Sequence, residues 1–214
     1  MSLDGYVAGP NQSEEHPLGA GGDQLHQWVV ALQAWREPHG MEGGEVNASS
    51  VVIEEAQHNV GATIMGRNMF GGHGAWDEHP WDGWWGEDPP FHTPVYVVTH
   101  HPREPLHMRG GTTFHFVTEG VDAALDLAKQ AAGDKVVALG GGADVAQQYL
   151  RAGLVDELTL NVVPILLGGG ARLLDGLGEA NVKLECTRAI AAPGVTHLTY
   201  RLTRPADEGD RSVA

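Results

Sequence analysis

The alternation of strand-like and helix-like segments between residues 94 and 163 limits the possible folds more than any other feature of this sequence. Strands are indicated where β-branched and aromatic residues are concentrated, at PVYVVT, TTFHFVT, KVVALG and DELTLNVV. Between them, VDAALDLAKQAAG and ADVAQQYLRAG have the apolar spacing of amphipathic helices. Because strands that alternate with helices form parallel sheets, we predict an α/β fold with a mixed, mostly parallel central sheet flanked by helices.

The N-terminal part supplies further elements of this fold. A short strand is expected at SLDGYVA, and a helix with Asp23 as its cap follows a turn-rich loop. A second helix is predicted from a Ser49/Ser50 cap to about Val60. GATIMGR then has the composition of a buried strand that ends in a glycine.

The C-terminal part is predicted to close the sheet. NVKLECTRAI and GVTHLTYRLT, joined by an APG turn, are typical of an antiparallel hairpin at one edge. Residues 205–214 have no apolar pattern, so we expect a flexible tail there. Residues 1–204 are therefore interpreted as a single domain.

A tryptophan-rich segment, GGHGAWDEHPWDGWWGEDPP, interrupts the pattern of strands and helices. It contains Trp76, Trp81, Trp84 and Trp85 among glycine, proline and acidic residues. We interpret residues 71–93 as a long loop insertion held by aromatic anchors. Three roles are compatible with this composition: a lid over a pocket, a loop packed on its own domain, and a subunit contact.

The charge of the chain excludes several classes of partner. The 13 Lys+Arg against 28 Asp+Glu give a net charge of −15, which repels nucleic acid and anionic membranes. No apolar run approaches the roughly 20 residues that a spanning helix needs. The single cysteine, Cys186, lies in an alternating segment and is expected to be a covered strand residue. Because one cysteine forms no intramolecular disulfide, a cytoplasmic location is expected.

Three of the predicted strands end in residues that suit an anionic ligand. Gly140, Gly141 and Gly142 follow one strand and open a helix, where free backbone N–H groups attract a phosphate. Arg67 follows the strand GATIMG, and its planar guanidinium suits the same group. Thr99, with His100 and His101, follows the strand PVYVV. Since open α/β sheets bind ligands at the carboxyl ends of their strands, we predict a nucleotide site there.

Each of these features also has a structural explanation. A glycine triplet often makes a plain strand-to-helix turn, and neither GxGxxG with a following acid nor GK[ST] occurs here. A surface arginine pairs readily with an acid in so acidic a chain. The 12 histidines include no HxxxH or HExxH pair, so we predict no metal site.

Five motifs taken in order are similar to a known superfamily. They are SLDGYVAG, IMGRNMFGG, VYVVTHHP, VVALGGGADVAQQYL and VDELTLNVVPILLGGGARLL. The chain resembles the dihydrofolate-reductase-like superfamily, in particular the branch related to the reductase domain of the bifunctional riboflavin-biosynthesis deaminase-reductase. The resemblance extends from Ser2 to about Thr203. It implies a dihydrofolate-reductase-like fold that binds NADP(H) in an extended form.

The resemblance also implies a set of cofactor-binding residues. The pyrophosphate would lie at the glycine turn and the start of the following helix; Arg67 and its neighbours would face the phosphates; the third strand end would lie near the adenosine 2′-phosphate; and the first strand would flank the nicotinamide. The residues implied are Val7, Ala8, Gly66, Arg67, Asn68, Met69, Thr99, His100, His101, Gly140, Gly141, Gly142, Ala143, Asp144 and Val145. Met69 replaces the threonine that is usual in the GRxT motif of the superfamily.

Two further features lie at the expected substrate end. Gly168, Gly169 and Gly170 form a second triplet, which either shapes a loop near the substrate or makes a tight structural turn. Asp4 ends the first strand beside the expected nicotinamide position. It either orients substrate and relays a proton or forms the turn that is common in DG pairs.

These features together predict an NADPH-dependent oxidoreductase that transfers a hydride to a small cyclic or conjugated organic substrate. Folate is not favoured, because Leu25 and His26 precede Trp28 where dihydrofolate reductases have a substrate-binding carboxylate. Two alternatives are a riboflavin-pathway reductase of a phosphoribosylamino-pyrimidine and a non-catalytic NADPH-binding sensor or interaction protein. Exposed edge strands favour a homodimer.

Overall fold

The computed structural model describes residues 1–72, 74–76, 78, 80–178 and 182–203. Within it the chain divides into two compact units. Ala56–Ala146 form the central unit, whereas Met1–Glu55 and the described residues from Gln147 onward form the terminal unit. The single domain expected from the sequence stays a prediction. The expected flexible tail lies outside the described residues.

Strands and short helices alternate along the described chain. The strands are β1 (Tyr6–Ala8), β2 (Val60–Gly66), β3 (Pro94–Val98), β4 (Leu106–His107), β5 (Thr113–Val117), β6 (Val136–Gly141), β7 (Glu157–Val162), β8 (Ala171–Arg172), β9 (Lys183–Ala192) and β10 (Val195–Thr203). The helices are α1 (Gln27–Val30), α2 (Gln33–Arg36), α3 (Ala48–Gln57), α4 (Arg67–Phe70), α5 (Val121–Ala132) and α6 (Ala143–Arg151).

The central unit contains a five-stranded sheet in the order β4-β5-β3-β2-β6. The four longer strands run parallel, and only the short edge strand β4 is antiparallel. This sheet confirms the mixed, mostly parallel arrangement predicted from the alternating pattern. Its parallel strands bring the ends of β3, β2 and β6 to one edge of the sheet.

Each face of this sheet has a different cover. On one face, Met65, Val95, Val97 and Phe114 are fully buried under the aromatic side chains of the tryptophan-rich loop. Because side chains alternate along a strand, Tyr96 points to the other face. There α5 packs on β2 and β3 and buries small residues such as Ala128.

The terminal unit contains two antiparallel sheets, β1-β8 and β7-β10-β9. The predicted hairpin is present as β9 and β10, with its turn at Pro193 and Gly194. β7 was expected to join the parallel sheet, but it pairs with β10 antiparallel. The partner of β7 is β10, a strand that follows much later in the chain, so the pattern around β7 did not reveal this pairing.

Cys186 is exposed, so the expectation of a covered thiol is wrong. It lies on β9, the edge strand of its sheet, where the side chains from Lys183 to Ala189 are exposed on both faces. Alternation of residue type therefore did not correspond to alternation of burial in this strand.

The first predicted helix is broken into short pieces. A 3-10 turn over Gly22–His26 contains Asp23, which caps nothing, and α1 and α2 are separated at Leu32. Leu32 has an extended backbone and is fully buried, and it forms a β-bridge with Glu45. Burial of this side chain and pairing of its backbone therefore outweigh the helical pattern of the sequence.

The cap of α3 is Asn47, two residues before the first of the predicted cap residues, Ser49. The side chain of Asn47 accepts a hydrogen bond from the backbone N–H of Ser49 at 2.9 Å, while the Ser50 hydroxyl accepts one from the N–H of Asn47 at 3.2 Å. This reciprocal pair is a capping box with asparagine at the cap position. In the described part of the chain, no helix is long and apolar enough to cross a membrane.

Candidate cofactor site

Three neighbouring strand ends of the central unit carry the predicted phosphate-binding residues. β2 is the middle strand of the three, with Gly66 opposite Val98 of β3 and Met65 opposite Gly141 of β6. The residues that follow these strands therefore share one edge of the sheet. Arg67 occupies the central place in this row.

The glycine turn after β6 is shaped for close approach. A side chain at Gly66 would bring its Cβ within 2.8 Å of Val145, so the absence of a side chain lets the start of α6 pack on β2. Gly141 has a φ of 129°, a conformation that favours glycine. A Cβ at Gly142 would meet nothing within 4 Å, so the backbone at the start of α6 borders open space.

The first turn of α6 consists of Ala143, Asp144 and Val145. Its N-terminal N–H groups carry the positive end of the helix dipole, which attracts an anion such as pyrophosphate. Val145 is buried and Asp144 is an acidic residue of the first turn, a position that stabilises the helix itself. The backbone of this turn, more than its side chains, therefore suits a phosphate.

The side chain of Arg67 lies over the ring of Trp76. Its guanidinium carbon lies 3.2 Å from the ring centroid of Trp76. Among the described residues, the buried Nε and Nη1 have no hydrogen-bond partner, and Nη2 makes a long contact of 3.5 Å to the carbonyl of Gly74. Burial, with the nearby charge of Arg103 second, lowers the pKa of Arg67 to about 10, so the side chain remains a cation at neutral pH.

A half-buried cation whose buried donors have no partner in the described part of the chain fits an anionic group. Buried polar groups are nearly always paired, because an unpaired donor loses its bonds to water. Arginine binds phosphate through charge-assisted N–H bonds, and two donor nitrogens of Arg67, Nε and Nη1, have no partner among the described residues. The residues present therefore fit the phosphates of a dinucleotide.

The neighbours of Arg67 in α4 have different surroundings. Asn68 is exposed. A Cβ built at Gly140 or Gly141 would lie 3.4 Å from the sulfur of Met69, so this side chain rests against the glycine turn. Where the superfamily pattern has a threonine hydroxyl, the thioether of Met69 supplies packing to the turn and no strong donor.

The end of β3 forms a tight turn. The buried hydroxyl of Thr99 accepts a hydrogen bond from the N–H of His101 at 3.1 Å, and the indole N–H of Trp76 donates to the carbonyl of His101 at 2.9 Å. His100 and His101 are exposed. Thr99 therefore holds the turn, while the two imidazoles are the groups accessible to a ligand.

The remaining predicted residues belong to the terminal unit. Val7 and Ala8 lie in β1, which pairs with β8 through Tyr6 and Ala8. The carboxylate of Asp4 accepts hydrogen bonds from the N–H groups of Leu167 at 3.1 Å and Gly168 at 2.8 Å. A hydrogen bond from Ser2 is the largest cause that lowers the pKa of Asp4, to about 2, with these two backbone bonds contributing.

These contacts give Asp4 and the second triplet structural roles. A carboxylate with a pKa of about 2 is ionised at neutral pH and therefore has no proton to donate. At Gly170, with a φ of 119°, an added Cβ would overlap the carbonyl of Ala8 and lie 2.6 Å from the carbonyl carbon of Gly9. The glycine therefore lets the loop pack against the end of β1, and the catalytic role of Asp4 stays a prediction.

Comparison with known families agrees with this geometry. The sequence matches the family of the RibD C-terminal domain over residues 1–198. The chain belongs to the RibD C-terminal domain family. This membership confirms the predicted superfamily and the predicted class of enzyme, an NADPH-dependent reductase. A comparison with curated proteins gives no match.

Solved structures with TM-scores above 0.5 share the fold of this chain. A proposed riboflavin biosynthesis protein from Shewanella sp. PV-4 is 23% identical, covers 95% of this chain and 96% of its own, and superposes with a TM-score of 0.60. RibD of Acinetobacter baumannii is 16% identical with a TM-score of 0.51, over 95% of this chain and 56% of that protein. A dihydrofolate reductase of Enterococcus faecalis complexed with NADP(H) is 15% identical, over 74% of this chain and 84% of its own, with a TM-score of 0.45.

Two residues near Arg67 were not identified from the sequence. Trp76 lies in a segment without periodicity, so nothing in the pattern linked it to Arg67. Arg103 lies 5.1 Å from the Trp76 ring and is held by the carbonyl of Trp81 and by Asp82 at 2.7 Å. The order VTHHPR shows only that Arg103 follows a strand end.

Among the described residues, no group of three or more His, Cys, Asp and Glu residues could hold a metal ion.

Proposed function

We propose that this RibD-type domain reduces a small cyclic or conjugated organic substrate with a hydride from NADPH. The observation that carries the proposal is Arg67, a half-buried cation at the middle of three strand ends, whose buried Nε and Nη1 have no partner among the described residues. Buried donors without a partner are unfavourable, so the arrangement favours a ligand with phosphate groups. The fluorescence and kinetic tests below examine binding and hydride transfer separately.

The residues of the chain bind and align the cofactor. The backbone of Gly141, Gly142 and the first turn of α6 would hold the pyrophosphate, and Arg67 would neutralise phosphate charge. Thr99 keeps the turn after β3 in place, so that His100 and His101 can donate to the 2′-phosphate. When bound, NADPH supplies the hydride from its nicotinamide ring, so the protein needs no nucleophile of its own.

The first test is a titration with NADPH and separately with NADH, followed by quenching of tryptophan fluorescence and checked by calorimetry. We expect tighter binding of NADPH. Arg67→Ala should weaken it at least about 10-fold, since charge-assisted bonds to phosphate contribute about 1.5–3 kcal/mol. Gly141→Val should abolish binding, because valine does not readily adopt the positive φ of 129° that the glycine has in this turn. Arg109→Ala is the matched control: Arg109 pairs with Glu87 at the surface.

The outcomes separate binding from catalysis. If the wild-type protein binds neither nucleotide, the proposed function is wrong. If NADPH binds but loses no absorbance with any cyclic or conjugated acceptor, a non-catalytic sensor is the better description. A deuteride label on the nicotinamide that appears in the product would establish hydride transfer directly.

Membership in the RibD C-terminal domain family favours one second candidate, reduction of a phosphoribosylamino-pyrimidine. Turnover of that substrate, measured against simple cyclic enones and imines, separates it from the first proposal. The homodimer and the cytoplasmic location are likewise proposals. Light scattering at micromolar concentration should give twice the monomer mass of 22.8 kDa. A measured mass equal to that of the monomer would contradict the dimer.

A further inference from the structure

The side chain of Trp76 contacts two parts of the candidate site, Arg67 and His101. Its ring lies under the Arg67 guanidinium at 3.2 Å. Its indole N–H donates to the carbonyl of His101 at 2.9 Å. One side chain of the loop therefore contacts the residues that follow both β2 and β3.

Packing against the core of the central unit fixes the position of Trp76. Its ring meets Phe70 edge-on at 5.8 Å and Phe116 at 5.0 Å. Phe70 is fully buried. Since these contacts restrict the rotation of the indole, the guanidinium that rests on it is restricted as well.

A stacked ring leaves the edge of a guanidinium free for a ligand. Cation–π contact uses the face of Arg67, whereas its N–H donors point outward in the plane. Among the described residues, Nε and Nη1 of Arg67 have no partner. Arg103, the second guanidinium near this ring, donates to the carbonyl of Trp81 and to Asp82.

We propose that Trp76 is a positioning residue of the nucleotide site, which holds the guanidinium of Arg67 for the cofactor's phosphate groups. The inference rests on the proposed function and adds to it a role for the tryptophan-rich loop. In this role the loop acts at the phosphate end of NADPH through Arg67. It also predicts that phosphate binding changes the surroundings of one particular tryptophan.

The test compares two matched variants of the same loop by calorimetry, which does not depend on tryptophan fluorescence. Trp76→Leu removes the ring beneath Arg67. Trp84→Leu is the control, because Trp84 also donates its indole N–H to a backbone carbonyl, that of Met69, but its ring packs on Trp81. We expect Trp76→Leu to weaken NADPH binding about 10-fold, between the sizes of an exposed and a desolvated cation–π contact, and Trp84→Leu to change it less than about 3-fold.

A double-mutant cycle shows whether Trp76 acts through Arg67. If it does, Trp76→Leu in an Arg67→Ala background should cause no further loss of affinity. Binding of adenosine, which has no phosphate, should be equal in wild type and Trp76→Leu. Additive losses in the cycle, or equal losses for adenosine and NADPH, would show a general structural role and overturn the proposal.

The remaining outcomes are also decisive. If wild-type protein binds NADPH and Trp76→Leu binds it equally well, this inference is wrong while the proposed function stands. If wild type binds no NADPH, both are wrong. Should Trp76→Leu fail to fold, wild-type protein labelled with 5-fluorotryptophan decides: the resonance that Trp76→Phe removes must shift on addition of NADPH, and an unchanged resonance refutes the positioning role.

Discussion

Substitution of each glycine in the second triplet by alanine tests whether that triplet is a structural turn. The three positions differ sharply in what an added Cβ would meet. At Gly170 the Cβ would overlap the Ala8 carbonyl, lie 2.6 Å from a backbone atom of Gly9, and require a φ of 119°. At Gly168 it would meet nothing within 4 Å, at a φ of 70°, and at Gly169 only Pro10 at 3.9 Å.

These differences give a predicted order of stabilities. A residue forced into a sparsely populated conformation costs about 1–3 kcal/mol, and overpacking against a fixed backbone adds about 1–3 kcal/mol. Gly170→Ala should therefore lower the free energy of unfolding by about 4 kcal/mol. Gly168→Ala should lower it by about 1 kcal/mol, the cost of a left-handed conformation alone. Gly169→Ala should stay within about 0.5 kcal/mol of wild type.

Urea unfolding followed by circular dichroism measures this order directly. Gly169→Ala serves as the matched control, since it adds the same methyl group one residue away. Equal stability of Gly170→Ala and Gly169→Ala would refute the argument that the loop must approach β1 this closely. A Gly168→Ala variant of normal stability but poor turnover would instead indicate that this part of the triplet contacts substrate.

Three further predictions concern stability and ionisation. Phe114→Ala, at a fully buried position, should lower the free energy of unfolding by about 4 kcal/mol, and a loss below about 1 kcal/mol in urea titrations would contradict the described core. Burial lowers the pKa of His197 below its ordinary 6.5, so the unfolded chain binds the proton first and the free energy of unfolding should fall as the pH drops below 6.5. His197→Gln should reduce that pH dependence, and an unchanged slope between pH 7.5 and 5 would argue against it. Asp4→Asn should lower the melting temperature at neutral pH and leave kcat unchanged. A normal melting temperature with a large loss of kcat would instead establish a catalytic carboxylate. A carboxyl NMR titration should give a pKa for Asp4 of about 2, below the ordinary 3.8.

The parallel part of the fold could be predicted because it depends on short-range patterns. The residues of β2, β3, β5 and β6 form strand-like runs, and α5 connects β5 to β6, two non-adjacent strands of the same parallel sheet. The pairing of β7 could not be predicted, because the same strand-helix-strand order fits either a parallel or an antiparallel partner. The break at Leu32 depends on a bridge to Glu45, which no window of local sequence contains.

The candidate site divides in the same way. Glycine and arginine at the ends of strands are visible in the sequence, since the strands themselves are recognisable and their carboxyl ends meet at one edge. The pairing of Arg67 with Trp76 is different. Eight residues of sequence, which begin with the rest of α4, separate Arg67 from Trp76, and their contact depends on how Trp76 packs on Phe70 and Phe116.

The tryptophan-rich loop packs where a helix would otherwise be needed. A parallel sheet requires cover on both faces, and in the central unit α5 covers one of them. On the other face, Trp76, Trp81 and Trp85 pack against the buried side chains of the sheet. The indole N–H groups of Trp76 and Trp81 donate to backbone carbonyls, so these large side chains are buried without an unpaired donor. These contacts of the described tryptophans favour the loop packed on its own domain over the lid. Because this packing reaches the end of β2, the loop is also placed to hold a charged side chain there.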